Sequence, residues 1–553
     1  MRSKRASVTV LLTLVLTIVA FASPQDKAPA KPQAPAKKEK PATASPVDAR
    51  LDVLKRDLAT EIDGMRDLTQ QMVDMLFSFA EPGFQEFETK KYCTGILKSH
   101  GFTIEENVAG MPTGWTARWG SGKPVIALGS DVDSLLGTSQ QPGVPYQKPF
   151  IEGAPGHGEG HNTGIPLTIT AALALKTVME REKIPGTILV WPGIAEELLG
   201  GKAQFAKAGV FKDVDICLFS HIAAGMGVSW GEASGTGAVS VEYTFTGRSA
   251  HAGATPWLGR SALDAVELMD VGWNFRREHL RLSQRSHYVI TDGGGQPNVV
   301  PPTAGVWYYF REIDYPHIKE MWSIGNAMAD GAALMTETKV SSRLLGSAWP
   351  QHMNKTVAET MYANMQRVGM PRWSDADQAF AKLVQRNVKV REQGLATEIG
   401  RLDGPVRPED NRGGGSDDIG DVSWSVPTVT LRYPGNIPGM TGHHWSSAIA
   451  EATPVAHKGV TTGAKVEAMT AIDLLVKPEL VRQAWDYFRD VQGKDTAYQP
   501  FPGEKDKPAI WLNDKLMQQL RPEMKKFYYD PSKYKTYLEQ LGIPYPPAEA
   551  VKH

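Results

Sequence analysis

The spacing of hydrophobic positions predicts two kinds of domain along the chain. In the first part, continuous apolar runs alternate with helical segments such as residues 165–182. Buried runs separated by helices are typical of a mostly parallel sheet with helices on both faces. The pattern therefore predicts an α/β domain. Its apolar runs are residues 125–133, 187–193, 215–221 and, much later in the chain, 426–433.

A second pattern begins near residue 239, where apolar and polar residues alternate as VSVEYTFTG. Such alternation indicates a strand with one solvated face. The segments that follow predict a helix, two strands, a helix and a last strand, and that order is ferredoxin-like. We therefore predict an inserted α+β domain at residues 236–347, between two parts of a catalytic domain at residues 47–235 and 348–476.

The beginning of the chain has the pattern of an export signal. Arg2, Lys4 and Arg5 precede an apolar run, which ends in the small-x-small sequence of residues 20–22. This pattern predicts a signal peptide over residues 1–22 and an exported protein, periplasmic or extracellular. An uncleaved membrane anchor is the less favoured alternative, because the run is shorter than the ~20 residues of a spanning helix, and we expect no membrane span after cleavage.

Composition limits the remaining segments and the possible partners. Residues 23–46 are rich in Pro, Ala and Lys and are predicted to form a disordered linker. Residues 477–553 form a C-terminal extension to which the sequence assigns no function. A net charge of -1 without a basic stripe argues against nucleic-acid binding. Two cysteines provide no disulfide framework, which for an exported protein of this size favours a bacterial envelope.

The polar residues that follow the apolar runs are candidates for a functional site. Because ligands bind at the carboxyl ends of parallel strands, side chains that follow these runs are expected to meet in one crevice. A single histidine or a Glu pair is more often structural or solvated, but the joint placement of histidines and carboxylates suits a hydrolytic metal centre. The residues concerned are Asp131, Asp133, Glu196, Glu197, His221, His443 and His444, together with His157, Glu159 and His161 of the segment HGEGHN.

Several motifs in order give the chain a family resemblance over residues ~60–475. They are SDVDSL, HGEGHN, AEELLGGK, SHIAAG, GRSAHAGATPWLGRSALDA, NVVPPTA, SDDIGDVSW and GHHW. The chain resembles the aminoacylase/carboxypeptidase-type metalloamidohydrolases, in the branch of the p-aminobenzoyl-glutamate hydrolase B subunit. The resemblance implies a zinc-peptidase-like mixed sheet, an inserted ferredoxin-like lid and a homodimer formed through that lid. It also implies a divalent metal cofactor, expected as two ions of Zn or Mn, with Ni or Co as alternatives.

The resemblance also implies roles for individual residues. Metal ligands would be Glu159, His161, Glu197, His221 and His443, with His444 and then His457 as alternatives for the last, and His157 as a supporting candidate. Glu196 would be the general base, and Asp133 would belong to the catalytic set. His251 of the lid would stabilise the oxyanion, in its own site or that of a neighbouring subunit. Asn298 and Arg311 would hold the substrate.

Glu159 is a departure from the family pattern. The branch usually has a metal-bridging Cys at this position. A glutamate can also bridge two cations, but its oxygens are harder ligands than a thiolate and favour Mn or another oxygen-tolerant ion. A site with one metal, or with none, is the alternative.

The expected reaction is hydrolysis of the amide bond of an N-acyl or N-aroyl amino acid that has a free carboxylate. One alternative is an exported dipeptidase or exopeptidase of the same fold. Another is a non-catalytic binding protein, although the presence of both Glu196 and Glu197 argues against it because a binder needs no general base. No nucleophile-elbow pattern supports serine or cysteine hydrolase chemistry.

Overall fold

The computed structural model describes residues 46–232, 235–407 and 409–551. The predicted signal peptide and the predicted linker up to residue 45 lie outside the described residues. Within the described part of the chain, no helix combines the length and apolar character that crossing a membrane requires. Cys93 and Cys217 are both buried and unpaired.

The regular elements are numbered in chain order over the described residues. The strands are β1 (Thr103–Glu106), β2 (Trp115–Ser121), β3 (Val125–Asp131), β4 (Gly186–Gly193), β5 (Ile216–Ala223), β6 (Val228–Ser229), β7 (Gly231–Glu232), β8 (Gly237–Thr246), β9 (Arg285–Asp292), β10 (Thr303–Glu312), β11 (Lys339–Ala348), β12 (His352–Met353), β13 (Leu402–Asp403) and β14 (Thr428–Pro434). The α-helices are α1 (Pro46–Gly64), α2 (Arg66–Phe79), α3 (Phe87–Ser99), α4 (Gly164–Glu182), α5 (Lys202–Lys207), α6 (Ala262–Arg276), α7 (Tyr315–Thr336), α8 (Lys355–Val368), α9 (Asp375–Asn387), α10 (Ile419–Ser423), α11 (Pro454–Val476), α12 (Pro478–Tyr487), α13 (Asp514–Met524), α14 (Tyr537–Gln540) and α15 (Ala548–Val551).

The large sheet has six strands in the order β1-β2-β4-β3-β5-β14. The last four strands are parallel, whereas β1 and β2 are antiparallel at one edge. Every residue of β3 and β4 is buried, and successive side chains of a strand point to opposite faces. Both faces of the sheet are therefore covered, as the continuous apolar runs predict.

The lid is an antiparallel sheet in the order β11-β8-β10-β9, with α6 and α7 packed together against it. Val239, Val241, Tyr243 and Phe245 of β8 are all buried in its hydrophobic core. The chain order β8-α6-β9-β10-α7-β11 is the ferredoxin-like arrangement. The predicted fold class, an α/β mixed sheet with an inserted α+β lid, is confirmed.

The C-terminal extension packs behind the turn that joins α2 to α3. The Arg521 guanidinium donates to the buried carboxylate of Glu81, and its Nη2 donates to Gln85 O at 2.8 Å. The same turn supports the carboxyl ends of two sheet strands. Glu81 O accepts from Ser134 N at 2.9 Å, and Glu86 Oε1 accepts from Ala195 N at 2.9 Å. The extension is thus part of the catalytic domain's packing.

Replacing Arg521 with Met should lower the free energy of unfolding by about 3 kcal/mol, because it leaves the Glu81 carboxylate buried without its cation. The matched control is Arg367→Met, which breaks a more exposed pair with Asp52 and should cost less than about 1 kcal/mol. Urea titration of both variants measures the difference. Equal losses would contradict the bracing role of the extension.

Candidate metal centre

The side chains predicted to meet do so at the carboxyl edge of the parallel strands. The segment before α4 completes the group with Glu159 and His161. Gly164 lets α4 begin directly against β3, since a Cβ at this glycine would lie 1.8 Å from Ser130 Oγ. This close approach places the preceding segment over the strand ends.

The turn after β4 carries the two glutamates. Ala195 is in the left-handed region with φ 51°, and Leu199 at the other end of the turn has φ 53°. The backbone N–H of Glu197 donates to Asp133 Oδ2 at 3.1 Å, which ties this turn to the end of β3. The backbone geometry therefore fixes Glu196 and Glu197 beside the other candidate ligands.

Glu159 lies between two histidines. Its Oε1 is 3.2 Å from His443 Nε2, and its Oε2 is 3.7 Å from His221 Nε2. His443 Nε2 is also 3.5 Å from Glu197 Oε2. Two carboxylate oxygens that face two different imidazoles form the arrangement expected of a ligand that bridges two cations.

Four overlapping groups in this region have a ligand spacing that could hold a metal ion. In each group the ligand atoms lie within 4.8 Å of one another. The groups are Glu159, Glu197 and His443; His161, Glu196 and Glu197; Asp131, His161 and His221; and Glu196, Asp417 and Asp418.

His161 is oriented as a metal ligand would be. Its Nδ1 lies 3.1 Å from Asp133 O and 3.4 Å from Asp133 Oδ1, so this nitrogen donates its proton to Asp133. Among the described residues, His161 Nε2 and Glu197 Oε1 are buried without a hydrogen-bond partner. Buried polar atoms are nearly always satisfied, and a second partner that fixes the tautomer is typical of metal-bound histidine. The donor set fits a divalent metal.

The electrostatics of the site also favour a cation. Burial and the neighbouring Asp417 raise the pKa of Glu196 well above its usual value. Burial raises the pKa of Glu197 to about 8. Burial lowers the pKa of His161, but its hydrogen bond to Asp133 and nearby carboxylates outweigh this and raise it to about 10. Crowded buried carboxylates thus attract positive charge, and a metal ion would supply it.

The pKa values of Glu159 and His221 are lowered, in contrast to those of Glu197 and His161. Although burial raises the pKa of Glu159, its hydrogen bond to His443, together with the charges of neighbouring histidines, outweighs this effect and brings the pKa down to about 2. Burial and the charge of Arg432 lower the pKa of His221 to about 3. An ionised carboxylate and a neutral imidazole are the protonation states in which these side chains bind metals.

A buried ion-pair cluster lies behind the site, and sequence reasoning missed it. Lys202 Nζ is 2.5 Å from Asp131 Oδ1, 2.5 Å from Asp418 Oδ1 and 3.3 Å from Asp417 Oδ1. The motifs AEELLGGK and SDDIGDVSW contain Lys202 and both of these late aspartates, so the signal was present. Lys202 therefore offsets part of the charge of Asp131 from within the protein.

The alternative histidines lie away from the donor cluster. His157 is buried with Nε2 3.1 Å from Leu76 O, and His457 Nε2 is 2.6 Å from Asp74 Oδ1. His444 is exposed, and its Nδ1 bonds Ser446 Oγ at 2.9 Å. Of the late histidines, His443 is the one that the structure brings to the cluster.

The lid contributes to the site unevenly. The guanidinium of Arg311 lies 4.9 Å from the Tyr309 ring and lines the cleft above the cluster. Tyr309 OH in turn is 3.5 Å from Glu197 O. His251 and Asn298 lie on an exposed part of the lid, outside the residues that line this cleft. A single chain therefore brings Arg311 to the cluster, but not His251 or Asn298.

The cleft has a volume of about 650 Å³ and lies between the lid and the catalytic domain. Besides the candidate ligands, its lining is polar. It includes Arg311, Asp403, Ser416, Asp417, Thr430 and Arg432. Arg432 is a further residue that sequence reasoning missed, because one arginine inside an apolar strand pattern carries no specific signal.

Comparison with known proteins identifies the lid and the family to which the chain belongs. Residues 235–322 match the peptidase dimerisation domain of the M20 family. The chain is 33% identical to the B subunit of p-aminobenzoyl-glutamate hydrolase from Escherichia coli (strain K12) over 467 residues, which cover 80% of this chain and 96% of that protein. It is also 26% identical to the Xaa-Arg dipeptidase of Mus musculus, over 78% of this chain and 91% of that protein.

A solved structure shares the fold. It is the crystal structure of a protein described as an aminohydrolase from methicillin-resistant Staphylococcus aureus, with a TM-score of 0.52 and 18% identity, covering 76% of this chain and 100% of that one. The predicted family resemblance is confirmed. The chain belongs to the M20 peptidase family and is a metal-dependent amidohydrolase or peptidase.

Proposed function

We propose that this protein hydrolyses the amide bond of an N-acyl or N-aroyl amino acid with a free carboxylate, resembling p-aminobenzoyl-glutamate. The observation that carries the proposal is the carboxylate of Glu196, which lies beside the histidines and glutamates of the candidate metal centre. Hydrolysis needs a base in addition to the ligands, whereas binding alone does not. The 33% identical relative is a hydrolase of p-aminobenzoyl-glutamate by name, which supports this substrate class.

The donor set proposed for the metal consists of Glu159, His161, Glu197, His221 and His443. The two oxygens of Glu159 face different histidines, which supports two ions over one. A mixed set of imidazole and carboxylate donors supports Zn or Mn, with Ni or Co as alternatives. Bound there, a divalent metal supplies polarisation of the scissile carbonyl and a lower pKa for the attacking water.

Glu196 is proposed to carry the proton during the reaction. It takes a proton from the attacking water and returns it to the nitrogen of the leaving amine. Burial and Asp417 raise the pKa of Glu196, which makes its carboxylate a stronger proton acceptor. Asp133 acts through His161, whose Nδ1 it engages, and is therefore a positioning residue.

Arg311 is proposed to bind the free carboxylate of the substrate from the lid side of the cleft. His251 and Asn298 are proposed to act across a homodimer, reaching the neighbouring subunit's site through the dimerisation domain. Their exposure on the lid supports this assignment, as does the match of that domain. In that position His251 would oppose the developing oxyanion.

Export is proposed from the sequence pattern of residues 1–22, with the periplasm or the extracellular space as the destination. Expression of the full chain in a bacterial host, followed by fractionation and N-terminal sequencing, tests it. Cleavage after about residue 22 is expected. Retention of the intact N-terminus in the cytosol would contradict it.

The second candidate function is a dipeptidase, favoured by the similarity to the Xaa-Arg dipeptidase. A panel of N-(4-aminobenzoyl)-L-glutamate, other N-acyl amino acids and dipeptides separates the two activities. We expect the highest kcat/KM with the N-aroyl or N-acyl amino acids. A higher kcat/KM with dipeptides would assign the chain to the peptidases, and no hydrolysis at all by metal-loaded protein would favour a binding protein.

A further inference from the structure

Arg432 occupies a fixed position beside the candidate metal centre. It lies on β14 opposite His221 of the parallel neighbour β5. Its backbone N–H donates to Gly227 O and its C=O accepts from Gly227 N, both at 2.9 Å. Side chains at paired positions of parallel strands stand on the same face of a sheet. The guanidinium of Arg432 therefore faces the cleft next to a candidate ligand.

Arg432 is half-buried, and among the described residues no carboxylate lies within ion-pair distance of its guanidinium, although its charge acts on Asp417 and His221. Arg311, which faces the same cleft from the lid, is also without an ion pair in the described part of the chain. By contrast, the partly buried Lys55, Lys465 and Arg521 all contact carboxylates within 4 Å. Partial burial of an unpaired guanidinium is unfavourable, so such a group is a candidate for ligand binding.

We infer that Arg432 binds a second carboxylate of the substrate, in the side chain of the amino acid released, and so selects acidic amino acids. The inference rests on the proposed function, in which Arg311 binds the first carboxylate. A planar guanidinium suits a carboxylate because it can donate two parallel hydrogen bonds. Two cations on opposite walls of one cleft match two anionic groups on one substrate.

The anionic groups of the cleft are compatible with this assignment. Glu159, Glu196 and Glu197 belong to the proposed metal centre, whose cations offset their charge. Asp417 lies 3.3 Å from Lys202, so part of its charge is neutralised from behind. Asp403 lines the cleft but is exposed to solvent, which screens its charge. The arginine at position 432 is thus the cation on the catalytic-domain wall that a substrate carboxylate can reach.

The test compares N-(4-aminobenzoyl)-L-glutamate with N-(4-aminobenzoyl)-L-glutamine, which differ in the side-chain charge alone. For the wild-type metal-loaded enzyme, kcat/KM should be at least about tenfold higher with the glutamate substrate, the size expected of a charged hydrogen bond. Arg432→Met should reduce this ratio to about one. Arg311→Met should lower kcat/KM for both substrates and leave the ratio high, because both share the first carboxylate.

Two further variants make the result unambiguous. Arg432→Lys keeps a charge without the paired donors and should give an intermediate ratio, and it decides the question if Arg432→Met loses all activity. Arg118→Met, in the middle of β2 and outside the cleft, should retain the wild-type ratio. A wild-type ratio near one, or an unchanged ratio in both Arg432 variants, would overturn the inference. Failure of the wild-type enzyme to hydrolyse either amide would instead overturn the proposed function.

Discussion

Replacing Glu196 with Gln is expected to lower kcat about a thousandfold while the protein still binds its divalent metal. Gln is close to Glu in shape but cannot accept the proton of the attacking water, and general-base catalysis contributes ~10²–10⁴ in rate. The donors of the proposed centre are left in place. Steady-state hydrolysis and elemental analysis of the same preparation measure both quantities.

The matched control is Glu467→Gln, because Glu467 on α11 is also fully buried and its pKa is raised by burial. It does not line the cleft. Its replacement should leave kcat near the wild-type value. A Glu196→Gln enzyme with normal metal content and full turnover would show that another group is the base.

Replacing Glu159 with Gln is expected to weaken metal binding at least about tenfold, since a neutral amide offers one oxygen where the carboxylate offers two charged ones. Its oxygens face His443 and His221, so loss of the bridge should affect both proposed ions. Replacing Glu159 with Cys should shift the preference from Mn toward Zn, because thiolate is the softer ligand. Titration of the metal-free protein with each ion measures these affinities.

The control for this pair is Glu152→Gln, an exposed glutamate seven residues earlier. It should bind both ions as the wild-type protein does. If Glu159→Gln also retained wild-type affinity for both, Glu159 would not be a ligand, and the departure from the family's Cys would mark a site with a single metal.

The sequence predicted most of what depends on local pattern. The continuous apolar runs predicted β3, β4, β5 and β14 as parallel strands. Because ligands bind at the carboxyl ends of such strands, the residues at those ends were expected to lie together. The alternation of apolar and polar residues predicted the strands of the lid. The strands β1 and β2 at the antiparallel side of the large sheet were not anticipated. Thr103–Glu106 is mostly exposed, so it lacks a hydrophobic signature.

What the sequence did not reveal depends on distant pairings of charged groups. From the sequence alone, Lys202 would be expected at the surface. It is instead fully buried against aspartates that lie about 70 and 215 residues away along the chain. Arg521 likewise pairs with Glu81 across most of the chain length. The periodicity of apolar residues predicts which residues are buried, but it does not predict which buried charged groups form ion pairs. The sequence did not reveal the role of Arg432 for the same reason, because its position beside His221 follows from the order of the strands in the large sheet.

The central claim is that a divalent metal held by this donor set drives amide hydrolysis. The most direct measurement combines elemental analysis with hydrolysis of N-(4-aminobenzoyl)-L-glutamate, before chelation, after chelation and after metal is returned. Stoichiometric Zn, Mn, Ni or Co in the active protein, loss of hydrolysis on chelation and recovery on addition are the predicted results. Full hydrolysis by metal-free protein, or no bound metal at saturating supply, would contradict the claim.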